Sequence, residues 1–185
     1  MLRTILVSSL IFWVGLEAAG VSTSDVVSIK CGENKLSPKK SLIQFYSFNS
    51  EISTGEIIFT GNATVIVFDV TLYRGLGSPS DIYRNSSLWL EFLTQQAALW
   101  DMRDAWHLTH NINTSPLLVN KINTVKIKIF ADHYDIIING IFFYRYQREY
   151  DSGVKIKAAA IRYNFETNNI YLNCTNVSTY GEITK

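Results

Sequence analysis

The amino-acid sequence predicts an all-β domain, a two-sheet sandwich or a barrel, on three observations. Apolar and polar residues alternate with period two over most of the chain. Turn-forming residues punctuate that alternation. No segment carries a convincing 3.6-residue apolar stripe; Thr94 to Leu99 comes nearest and is short. Taken in order, Thr64 to Leu72 (TVIVFDVTL) is β-branched and aromatic, as a packed strand should be. Leu88, Leu90 and Phe92 alternate with Trp89, Glu91 and Leu93. Val125, Ile127 and Ile129 alternate with Lys126 and Lys128, and Tyr134, Ile136 and Ile138 follow in step. Val154 and Ile156 alternate with Lys155 and Lys157. Turns are expected at Gly32 to Asn34, Asn49-Ser50, Gly61-Asn62, Gly75 to Asp81 and Asp151 to Gly153. The sharpest local signal is Asn139-Gly140 between two apolar and aromatic runs, because both central residues of a type I′ hairpin turn need φ > 0. Periodicity alone leaves sandwich and barrel open.

The N-terminus reads as an export signal. Arg3 supplies a short positive region, and Thr4 to Leu16 is apolar but too short for a membrane span. Ala18 and Gly20 sit at the −3 and −1 positions of a cleavage site, giving residues 1–20 as signal and 21–185 as one domain. Cleavage leaves 185 − 20 = 165 residues, enough for a single hydrophobic core. Removing Arg3 and Glu17 leaves 16 basic and 15 acidic residues, so the net charge stays at +1. A near-neutral chain without a basic block argues against nucleic acid as a partner, and no further apolar run is long enough for integral membrane association. The expected location is extracellular.

Two cysteines, Cys31 and Cys174, flank the mature chain, and export favours their being joined rather than free. Five Asn-x-Ser/Thr sequons, at Asn62, Asn85, Asn113, Asn173 and Asn176, point to a glycoprotein. Glycans are expected at Asn62 and Asn85, each read as lying in a turn or loop. Pro116 after the Asn113 sequon and Cys174 inside the Asn173 sequon weaken those two, and crowding between Asn173 and Asn176 leaves at least one bare.

Three stretches together resemble the galectin carbohydrate-recognition domain. Gly55 to Leu72 (GEIIFTGNATVIVFDVTL) is similar to the family's opening pair of strands, through Gly55, Ile57, Gly61, Phe68, Val70 and Leu72. Leu88 to Gln95 (LWLEFLTQ), followed by Trp106, is similar in position and rhythm to the strands that hold the sugar. Val125 to Arg148, an alternating strand, an Asn-Gly hairpin and aromatics ending in Arg, resembles the late strands most strongly. The resemblance covers roughly residues 55 to 172. It implies a jelly-roll sandwich of two antiparallel sheets, of the galectin and concanavalin-like kind, with glycans or glycoproteins as partners on a concave face. It also implies neighbouring terminal strands, which would bring Cys31 to Cys174, a placement the cysteine count alone does not give.

The departures from the family bear on specificity. Its His-x-Asn-x-Arg motif falls on Glu91, Leu93 and Gln95, and in its Trp-x-x-Glu-x-Arg motif Trp106 is kept while Thr109 and Asn111 replace Glu and Arg. The expectation is therefore a secreted lectin with altered or weakened β-galactoside specificity, using Trp106 for stacking and Glu91 and Gln95 as polar contacts. Two alternatives are a galectin-fold module that binds protein instead of sugar, and a lipocalin-like carrier, although the latter family's Gly-x-Trp opening is missing. No enzyme, metal or cofactor is expected. There is no Gly-x-Ser-x-Gly and no Gly-rich phosphate loop, Glu91 is the only carboxylate on its strand face, and His107 and His110 lack further ligands. Trp89 and Trp100 read first as packing residues, and His133 as a surface loop residue.

Overall fold

The computed structural model describes residues 26–37, 43–74, 86–93, 96–102, 106–112, 116–148 and 152–174, with backbone alone for residues 66, 96, 100–102 and 106–112. The signal segment lies outside the described residues. Every described element is a strand: β1 Val26–Ile29, β2 Gly32–Lys35, β3 Ile43–Ile52, β4 Gly55–Tyr73, β5 Ser86–Leu93, β6 Gln96–Met102, β7 Trp106–Ile112, β8 Ile122–Ile129, β9 His133–Ile138, β10 Ile141–Gln147 and β11 Ile156–Asn173.

Two long strands, β4 and β11, run through both layers and hold them together. Their C-terminal and N-terminal halves pair in the first layer, ordered β1-β3-β11-β4-β5-β6-β7. Their other halves join the second layer with β2, β8, β9 and β10. All pairings are antiparallel except β1 with β3, which is parallel. The resulting architecture is a sandwich of two curled sheets.

The alternation in the sequence becomes the interior. Val125, Ile127, Ile129, Tyr134, Ile136 and Ile138 are all buried. On the inner side of β11, β4 and β5, Phe68 meets Phe165 and Phe92, with ring centroids 4.7 and 4.8 Å apart, and Phe92 faces Phe143 of β10 at 6.4 Å. Asn139 and Gly140 have φ of 51° and 81°, the mirror-image hairpin turn anticipated from the sequence. Arg148, buried at the end of this hairpin, donates to the carbonyls of Phe130 and Val154 at 2.9 and 2.6 Å and lies over the Tyr134 ring.

Gly32 to Asn34 opens β2 but keeps its turn at the entry, with Gly32 at φ 95° and the Asn34 side chain closing back on Lys30 N–H and carbonyl at 3.0 and 2.8 Å. Two other expected turns prove to be strand: Asn49-Ser50 lies inside β3, where its register with β11 shifts, and Gly61-Asn62 lies inside β4. Thr167 and Glu166, distant in the chain, supply the ladder that holds Gly61 and Asn62 extended. Gly61 has a further reason. A Cβ there would stand 2.5 Å from both the Glu166 carbonyl oxygen and the Phe165 ring, so only glycine lets β4 and β11 approach where they pass between layers. Gly61→Ala should therefore cost about 1–3 kcal/mol, the scale of overpacking. Urea unfolding that shows no loss would refute this close approach.

The disulfide joins Cys31 and Cys174 with Cα atoms 5.7 Å apart. β2 pairs with the end of β11, Gly32 opposite Leu172, and so brings the two cysteines together.

Candidate functional site

The face of the first layer turned away from the core is built from β3, β11, β4 and β5, continued by β6 and β7. On β5, Leu88, Leu90 and Phe92 point into the core and are fully buried, which leaves Trp89, Glu91 and Leu93 on the outer face. Cross-strand register sets Trp89 opposite Thr71 of β4 and Trp100 of β6, and Glu91 opposite Asp69 and Ala98.

One half of this face is closed. Phe45, Thr71, Tyr73, Trp89, Ala158 and Ala160 are each at most 4% exposed. The small alanines form a floor beside the Phe45–Tyr73 ring pair, whose centroids lie 5.6 Å apart. Next to them Arg162 of β11 donates from Nε to Asp69 Oδ1 at 2.8 Å, and its guanidinium lies 5.1 Å from the Trp89 ring centroid. Both charged side chains are almost fully buried. Burial pushes the Asp69 carboxyl up from its ordinary pKa, and the charge and hydrogen bond of Arg162 pull it back. This pair was not singled out in the sequence. An Asp and an Arg inside apolar strands are its only trace there, and nothing local joins residues 93 positions apart.

The other half is more open. Glu91 is partly buried and Leu93 is 39% exposed. Trp106 opens β7 opposite Met102, whereas the register row of Glu91 continues through Ala98 to Asn111. By strand spacing, Glu91 and Trp106 are two strands and four residues apart, roughly 16 Å between Cα atoms. The structure therefore does not bring these two candidates within reach of a single sugar ring. Gln95 lies outside the described residues.

Of the sequons, Asn62 is mid-strand and partly buried, with its Oδ1 enclosed and without a hydrogen-bond partner. Asn173 ends β11. Asn85, Asn113 and Asn176 lie outside the described residues. His133 is not a loop residue. It is the first residue of β9, stacked on Phe130 at 4.3 Å, with Nδ1 2.7 Å from Asp132 Oδ1, because β8 and β9 pair up to their shared turn.

Two bent strands shared between layers, a three-strand extension β5-β6-β7 on one layer and a hairpin β9-β10 on the other define the topology. The fold is galectin-like. A variant of human galectin-16 superposes with a TM-score of 0.60 at 15% identity, covering 75% of this chain and 99% of that one. The Caenorhabditis elegans galectin LEC-6 gives 0.58 at 13% identity over 83% of this chain and 99% of that one. CG-16, a homodimeric agglutinin from chicken liver, gives 0.56 at 14% identity over 71% of this chain and 99% of that one. No family model and no curated protein matches the sequence.

Proposed function

We propose that this galectin-fold chain is a secreted glycan-binding protein that takes an extended glycan along β5, β6 and β7, with weak or no affinity for simple β-galactosides. The observation that carries this reading is the division of the face. The β3-β11-β4 side is buried around the Arg162–Asp69 pair and Trp89, while Glu91 stands at the border of the more open side. With Glu91 and Trp106 roughly 16 Å apart, a ligand touching both spans two or three sugars. Trp106 supplies stacking, and Glu91 accepts hydroxyl hydrogen bonds but donates none. Of the motif positions, Glu91, Leu93 and Thr109 offer no charged or amide donor, and Gln95 and Asn111 put neutral amides where galactoside recognition uses arginine. Each such bond is worth about 1–3 kcal/mol in a desolvated site, so their loss together weakens lactose binding by orders of magnitude. The signal pattern, the disulfide and the five sequons support export as a glycoprotein. Because Asn62 is mid-strand with an enclosed side-chain oxygen, Asn85 is the stronger candidate for occupancy.

Titration with lactose and with a panel of longer glycans tests the reading, on the wild type, Glu91→Gln and Trp106→Ala. The expected result is no measurable lactose binding, with a longer glycan weakened by both substitutions. Tight lactose binding refutes the specificity, and glycan binding indifferent to both substitutions in folded variants puts the site on another surface.

A further inference from the structure

The Asn139-Gly140 turn carries more than a backbone conformation. Turn geometry alone would accept Asp-Gly or Gly-Gly, but here the side-chain amide of Asn139 is used on both sides. Its Oδ1 accepts from the Thr124 backbone N–H at 2.9 Å. Its Nδ2 donates to the Pro116 carbonyl at 3.1 Å and to Asn123 Oδ1 at 3.0 Å. Asn123, fully buried, passes the bracing on: its Oδ1 accepts from Leu118 N–H, and its Nδ2 donates to the Leu118 and Lys121 carbonyls, each at 2.8 Å. Asn120 N–H closes the loop onto the Ala63 carbonyl of β4 at 2.8 Å. Two asparagines thus tie residues 116–121, which display the exposed Leu118 and Val119, to the hairpin tip. Only an amide fits at position 139, since one end must accept while the other gives two hydrogen bonds.

We propose that Asn139 is a site of spontaneous deamidation, that its intact amide latches the 116–121 loop, and that the folded chain thereby carries a chemical age mark. In the step, the Gly140 backbone nitrogen attacks Asn139 Cγ, forming the C–N bond of a succinimide. The Cγ–Nδ2 bond breaks and the nitrogen leaves as ammonia. Water then opens the ring at either carbonyl to give aspartate or isoaspartate. The net change is one water consumed and one ammonia released, with no oxidant or other reactant. Glycine at position 140 favours the attack because no side chain crowds its nitrogen. While the latch is closed, its three hydrogen bonds hold Cγ in place and slow the attack. After hydrolysis an oxygen faces the Pro116 carbonyl and Asn123 Oδ1, and acceptor meets acceptor. The isoaspartate form also lengthens the backbone of a two-residue turn.

The test ages the purified secreted chain at pH 8, both folded and in denaturant, and follows ammonia loss and isoaspartate at the Asn139-Gly140 peptide by mass spectrometry. Slower deamidation in the folded chain is expected, by roughly tenfold or more. The aged folded fraction, separated by charge, and the variants Asn139→Asp and Asn139→Gly are then compared by amide hydrogen exchange. Exchange at Leu118 should quicken roughly tenfold to a hundredfold, while Ile127 in the core stays protected. In Asn139→Asp part of the protection should return at acid pH, where the protonated carboxyl donates one hydrogen bond, whereas Asn139→Gly shows no such return. Equal deamidation rates in the folded and denatured chain would overturn the proposal. So would unchanged Leu118 exchange in the aged protein, which needs no variant to fold.

Discussion

Replacing either member of the buried Asp69–Arg162 pair alone should destabilise the domain by about 3–5 kcal/mol, because the partner is left charged, desolvated and without its counter-ion. In Arg162→Met the Asp69 carboxylate loses its 2.8 Å donor, and Trp89 loses the guanidinium over its ring. In Asp69→Val the guanidinium stays enclosed and loses the carboxylate it donates to at 2.8 Å. The double substitution Asp69→Val with Arg162→Met should recover most of the loss, since apolar side chains can replace a buried pair at little net cost. Thermal melts of the two single variants should fall by on the order of 10 °C, with the double variant close to wild type. Single losses below about 1 kcal/mol, the size of a surface pair, would mean the pair is solvated and the β11-β4 half of the face is open after all. That outcome would also move the proposed glycan path.

Loss of the Cys31–Cys174 disulfide should cost about 5 kcal/mol through the unfolded chain, given a sequence separation of 143. The pair Cys31→Ala with Cys174→Ala removes the bond without leaving a free thiol. Its expected signature is a lower urea midpoint with β2 and the end of β11 exchanging fastest, because the bond ties those two strands at their tips. A double variant as stable as wild type would show that ladder pairing alone holds the ends. Free thiols at both positions in the secreted protein would overturn the linkage itself.

Much of this was legible from residue order. Ile127, Ile136 and Phe92 alternate with polar or outward residues, and a period of two tells which side of a strand faces the core whatever its neighbour is. Asn139-Gly140 announced its turn because φ > 0 at two successive positions is a property of those residues themselves. The same local reading failed at Gly61-Asn62 and Asn49-Ser50. At Gly61-Asn62 the ladder partners Thr167 and Glu166 lie far along the chain and outweigh turn preference, while Asn49-Ser50 falls where the β3–β11 register shifts between Ser47 and Ile52.

The sequence by itself determined the all-β class and which side of β5, β8 and β9 is core. It also marked the hairpin at Asn139 and the two cysteines able to pair. Only the tertiary structure decided that Asp69 meets Arg162 across 93 residues, and that Trp106 stands far from Glu91. It likewise decided that β4 bends through both layers without a break. The reason is physical. Side-chain alternation and turn dihedrals are set within a few residues, whereas register, strand order and closure of a face are set by packing between segments that touch only once the chain has folded.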